Sequence, residues 1–138
     1  MARKRDAKTP EPVPLPPIWS NPLPLIVWTD TFSRDWKSSG MTPDDEMRLG
    51  KEVVEAGDDP STRTDVPKLH KIRFAAGRDS RGKSGSYRVC YAAFTEHGTI
   101  VLITMFGKNE KSNLTAAEKK GVSDFIKTVE AQLHGEKP

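Results

Sequence analysis

The chain has 138 residues, 35% of them apolar and 30% charged, and 22 basic against 19 acidic side chains leave a formal charge of +3. That length suits one domain of ordinary size, and no apolar stretch reaches the ~18–20 residues of a bilayer span, the longest, Ile100 to Phe106, being interrupted by Thr104. The basic Arg3, Lys4 and Arg5 run into prolines where a secretory signal would be apolar, and the lone Cys90 precludes an internal disulfide or a Cys-rich zinc module, so a soluble, cytoplasmic protein without a membrane segment is expected.

Seven of the eleven prolines fall between residues 10 and 24. Proline fixes φ and removes a backbone donor, so residues 1–24 are expected to form an extended arm and residues 25–138 the domain. Pro14-Leu15-Pro16-Pro17 suits a linker, an arm lying across its own domain, or a ligand for a proline-reading groove. Leu25-Ile26-Val27-Trp28 is an apolar run of strand type. Asp30 or Thr31 can then cap a short helix whose Phe32 and Trp36 share a face, with Gly40 ending it. Thr42-Pro43-Asp44-Asp45 signals a second helix start, and carboxylates at its positive end account for Asp44, Asp45 and Glu46. Met47, Leu49, Val53 and Val54 supply its apolar face, and Gly57 closes it before a loop to Pro67.

Three strands follow. Between Lys68 and Ala75, the set Leu69, Lys71, Arg73 alternates with His70, Ile72, Phe74, which gives one basic and one apolar face. Gly77 to Gly85 reads as a flexible basic loop, and Ser86 to Phe94 alternates Tyr87, Val89, Tyr91 with Arg88, Cys90, Ala92. After the tight turn Glu96-His97-Gly98, Thr99 to Phe106 is apolar on both faces, as a central strand would be. Thr115 to Glu118 is a capping box for a last helix with Val122, Phe125, Ile126, Val129 and Leu133 as its stripe. The order predicts an α+β fold: a small antiparallel sheet, helices packed on one face, and a C-terminal helix.

The charge is unevenly placed. Residues 1–67 carry nine basic and twelve acidic side chains, and residues 68–138 carry thirteen and seven. Between Lys68 and Cys90 stand Lys68, Lys71, Arg73, Arg78, Arg81, Lys83 and Arg88 against Asp79 alone. Such a segment is either a solvated basic face or a polyanion site. His70, His97 and His134 are too dispersed in sequence to suggest a metal site; Gly77 and Gly82-Lys83-Ser84 have the spacing of a phosphate loop but lead into a strand rather than the helix such a loop needs; and Cys90 sits in a strand as a small apolar residue would.

Leu69-His70-Lys71-Ile72-Arg73, Gly82-Lys83-Ser84-Gly85-Ser86-Tyr87-Arg88-Val89 and Gly107-Lys108-Asn109-Glu110-Lys111-Ser112-Asn113-Leu114-Thr115 together resemble the RelE/HigB-type toxins of bacterial type II toxin–antitoxin systems. The resemblance extends from about Leu25 to Leu133 and leaves the N-terminal arm outside the family pattern. It implies a RelE-like fold and a metal-independent endoribonuclease without a cofactor, which cleaves mRNA in the ribosomal A site, arrests growth, and is silenced by an antitoxin encoded alongside. A ribose 2′-hydroxyl attacks the adjacent phosphate in such a reaction, giving a 2′,3′-cyclic phosphate and a free 5′-hydroxyl.

Carried over by position, the resemblance assigns Arg73 and Arg88 to phosphate binding and Lys71 or Lys83 to proton transfer. A lysine base needs a pKa pulled well below ~10.4, which crowding by like charges favours. Arg78, Arg81, Lys108 and Lys111 become further RNA contacts, and Tyr87 a stacking surface or a core residue. RelE itself has an arginine where this chain has Asn109 and a proton-handling tyrosine where it has Leu114. Two other readings use the same cations differently: a ParE-like gyrase inhibitor and a non-catalytic nucleic-acid-binding module.

Overall fold

The computed structural model describes residues 24–77, 86–107, 111 and 113–135. Strand β1 (Leu25–Trp28) is followed by helices α1 (Asp30–Ser38) and α2 (Pro43–Ala56), strands β2 (Leu69–Ala75), β3 (Ser86–Phe94) and β4 (Thr99–Gly107), and helix α3 (Ala116–Leu133). The four strands form one sheet in the order β1-β4-β3-β2. This is the α+β fold with a C-terminal helix that the sequence predicts, with two differences of detail.

The first concerns pairing. β2, β3 and β4 are antiparallel neighbours, but β1 lies parallel to β4, so the sheet is mixed. A strand that is followed by two helices can return to the sheet in either direction, and its own residues do not specify which. The second concerns the helices. Side chains of successive strand residues point to opposite faces, and both faces are packed. Phe32, Trp36, Leu49 and Val53 of α1 and α2 cover Phe74, Val89, Tyr91, Ile100 and Leu102 on one side. Ile126, with Val122, Val129 and Leu133 of α3, packs against Leu69, Ala92, Val101 and Ile103 on the other. The fully apolar β4 is what permits this: it lies between β1 and β3 and has apolar residues to offer to both layers.

The helix starts are local. Thr29, in an extended conformation at the end of β1, caps α1 by accepting from the Phe32 N–H at 3.2 Å. Asp30 or Thr31 was the expected cap; both lie inside the helix because Thr29 Oγ1 also donates to the Leu102 carbonyl at 2.8 Å, which fixes the exit from the sheet. Thr42 with Asp45, and Thr115 with Glu118, make the reciprocal capping boxes of α2 and α3. In α2, Leu49 and Val53 are buried at i, i+4 spacing, whereas Met47 points outward and is 76% exposed. Gly98 takes the left-handed conformation that closes the β3–β4 turn, at φ 57°.

Candidate nucleic-acid interface

α3 covers only part of its face of the sheet. Leu69 and Ala92, paired across β2 and β3, lie beneath its apolar stripe. Four residues further along β2 and β3 the same face carries Arg73 directly opposite Arg88, with Lys71 opposite Cys90 between the two pairs. Directly opposed residues in an antiparallel pair have Cβ atoms ~4.5–5.5 Å apart, and like charges placed there are destabilising. Arg73 is exposed, and Lys71 and Arg88 are half-buried. The Nη1 of Arg88 is shielded from solvent without a hydrogen-bond partner among the described residues. Arg88 is flanked on its other side by Phe106 of β4, and the Nζ of Lys111 sits 5.3 Å from the centre of the Phe106 ring.

Nearby acids pair with other lysines. Glu118 holds Lys111 at 2.6 Å, and Lys111 together with the Thr115 N–H keeps its carboxyl below the usual range. Asp65 is held 2.7 Å from Lys119, its carboxyl lowered by that bond, while Lys71 acts on it only through space. The side chains of Arg73 and Lys71 make no hydrogen bond or ion pair with any described residue. Cys90 beneath them is buried; burial raises its thiol to about 11 against the opposing influence of Lys71 and Lys111. It is an inert core residue at neutral pH.

Lys71, Arg73, Arg88 and Lys111 thus meet on one face. Tyr87 does not join them: it pairs with Phe74 and packs on the α1–α2 side, because one step along a strand changes the face. A base stacked beside Arg88 therefore cannot rest on Tyr87. Lys83, Arg78, Arg81 and Lys108, together with Asn109, lie outside the described residues. Leu114 is buried in the α3-side core. Sequence reading missed Phe106 and Glu118 as neighbours of the cations: one reads as core and the other as a cap, and both are also those things. His70 is structural, stacked on Tyr91 with ring centres 5.4 Å apart and its Nδ1 2.8 Å from Thr62 Oγ1, with burial pulling its pKa down. His97 and His134, distant in sequence, come together with ring centres 4.8 Å apart at the opposite end of β3.

Two guanidinium groups and an ammonium on one side of a sheet suit an oxyanion with several oxygens, above all a phosphodiester, since each guanidinium offers a planar fork of donors. The class so defined is a small α+β domain with a half-covered, cationic sheet face. No family model matches the chain. Among solved structures it is similar to an arginine-to-alanine double mutant of the E. coli toxin RelE in the free state, at 17% identity and TM-score 0.43 over 60% of this chain and 81% of that one. It is also similar to the intact E. coli RelBE toxin–antitoxin complex, at 18% identity and TM-score 0.44 over 66% and 99%. For the isolated E. coli RelE toxin the figures are 17% and 0.42 over 74% and 98%. Likenesses this distant assign no activity.

Proposed function

We propose that the chain is the toxin of a type II toxin–antitoxin pair, an endoribonuclease that cleaves mRNA on the ribosome. The observation that carries this reading is the Arg73–Arg88 pair: like charges directly across the ladder, beside Lys71, with no described acid between them. A phosphodiester placed there turns the repulsion into attraction. The motif residues that resemble RelE/HigB toxins include these same positions.

In the proposed reaction Arg73 and Arg88 hold the scissile phosphate and neutralise the charge that grows on its equatorial oxygens, so their contribution is electrostatic and preplaced. The 2′-hydroxyl gives its proton to a basic side chain, Lys71 or Lys83, and its oxygen attacks phosphorus in line. The bond to the 5′-oxygen breaks, and that oxygen takes up a proton, leaving a 2′,3′-cyclic phosphate and a 5′-hydroxyl. No step uses a metal. The ribosome's part is to present the mRNA extended, supplying positioning that an open face cannot. The partner is a small antitoxin that covers the cationic face or keeps the toxin from the ribosome.

Induced expression should arrest growth, and co-expression of the neighbouring gene's product should relieve it. Translating extracts should show mRNA cleavage with the wild type and ~10²–10³-fold less with Arg73→Ala. Intact mRNA together with loss of gyrase supercoiling would transfer the assignment to a ParE-like inhibitor; retention of RNA without either effect would leave a binding module.

A further inference from the structure

We infer that Glu96, His97 and His134 form a site for a divalent first-row transition ion of the zinc type, which clamps the end of α3 to the β3–β4 turn. The ligand atoms of these three side chains lie within 4.8 Å of one another. The two imidazoles stand edge to face at 4.8 Å. The Nε2 of His97 is shielded from solvent and has no hydrogen-bond partner among the described residues, an arrangement that buried polar atoms rarely keep unless something else satisfies them. Beside the cluster is a cavity of about 320 Å³ lined by His97, Glu96, Glu130 and His134 among others.

The backbone on both sides is well fixed. His97 ends the one-turn 3₁₀ helix Thr95–His97, where the Gly98 N–H donates to the Thr95 carbonyl at 3.2 Å and Thr99 Oγ1 donates to the His97 carbonyl at 2.9 Å. His134 is the C-cap of α3, its N–H bonded to the Glu130 carbonyl at 3.0 Å. Bonds of ~2.0–2.2 Å around a tetrahedral ion would bring the donor atoms to ~3.3–3.6 Å apart, a closure of at most about 1.5 Å from the separation of 4.8 Å. Two imidazoles and one carboxylate favour zinc, nickel or copper over magnesium or calcium, which take oxygen ligands. Glu130, one turn before His134, is held by Lys68 at 3.0 Å and so is engaged elsewhere. The ion would link two segments that otherwise meet through the His97 and His134 rings, and the site lies apart from Lys71, Arg73 and Arg88; it does not rest on the proposed nuclease activity.

The test uses the full-length chain and the metals alone. Titration with Zn²⁺ should show one ion per chain and a raised melting temperature, and Co²⁺ should give the visible absorption of a low-coordinate nitrogen–oxygen site. His97→Gln and His134→Gln should each weaken Zn²⁺ binding by at least roughly tenfold and remove the thermal shift. His134 is exposed at a helix end, so its variant gives a reading even if the His97 variant folds poorly. Absence of saturable binding, or equal affinity in wild type and His134→Gln, would overturn the site.

Discussion

One carboxylate, Asp45, joins three parts of the chain. It accepts from the Thr42 N–H at 2.9 Å, from the Gly77 N–H at 3.0 Å, and from Arg48 at 2.8 Å. Arg48 in turn reaches the Ala75 carbonyl at 2.9 Å and lies 4.6 Å from the centre of the Phe74 ring, so the group fastens the end of β2 just beyond Arg73. Burial pushes the Asp45 carboxyl up, but these donors outweigh it and bring it from 3.8 to about 2. A folded-state value below the unfolded one means stability that is present above pH ~4 and is lost as pH falls toward 2. Asp45→Asn should cost about 2 kcal/mol at neutral pH, and its denaturation midpoint should fall less steeply than the wild type's between pH 5 and pH 2. Asp45 was legible as a first-turn carboxylate; its bond to Gly77 was not, because nothing local announces a partner 32 residues away. The Arg73–Arg88 pair makes the opposite prediction. Arg73→Ala should leave stability unchanged or raise it by up to about 1 kcal/mol in urea denaturation, while mRNA cleavage falls ~10²–10³-fold.

At the level of elements, the period-two alternation of β2 and β3 is what the sequence displays most openly. It places Lys71 with Arg73 on one face of β2 and Arg88 with Cys90 on one face of β3, and the observed register joins those two faces. The same alternation moves Tyr87 to the other face, so its distance from the cations was legible as well. The side taken by α3 was not. Its stripe is apolar whichever layer it joins, and only the two-sided apolarity of β4 hints at a second layer. α3 also brings Glu118 to Lys111, neutralising one cation at the rim of the face. Glu118→Gln keeps a side chain that can complete the capping box and releases that cation. Stability should change little, while affinity for a single-stranded RNA oligonucleotide should rise and the slope of log K against log salt should steepen by roughly 0.7. Cys90 belongs to the same layer. With its thiol raised to about 11 under this packing, it should react with a disulfide reagent at pH 8 only as fast as the sheet opens, and at once in denaturant.

For the molecule as a whole, the formal charge of +3 hides an acidic first half and a basic second half. The first half supplies α1, α2 and the carboxylates of their first turns; the second supplies the ladder that lines up the arginines. Among the described residues no helix is long and apolar enough to cross a membrane, and Lys71, Arg73, Arg88 and Lys111 share one half-face of the sheet. The most direct measurement is the chemistry of the RNA ends. Translating ribosomes incubated with the wild type should yield mRNA fragments with 5′-hydroxyl and 2′,3′-cyclic phosphate ends, and Arg73→Ala and Arg88→Ala should yield ~10²–10³-fold fewer. Intact mRNA with the wild type, or cleavage undiminished in both folded variants, would contradict a role for this face in cutting RNA.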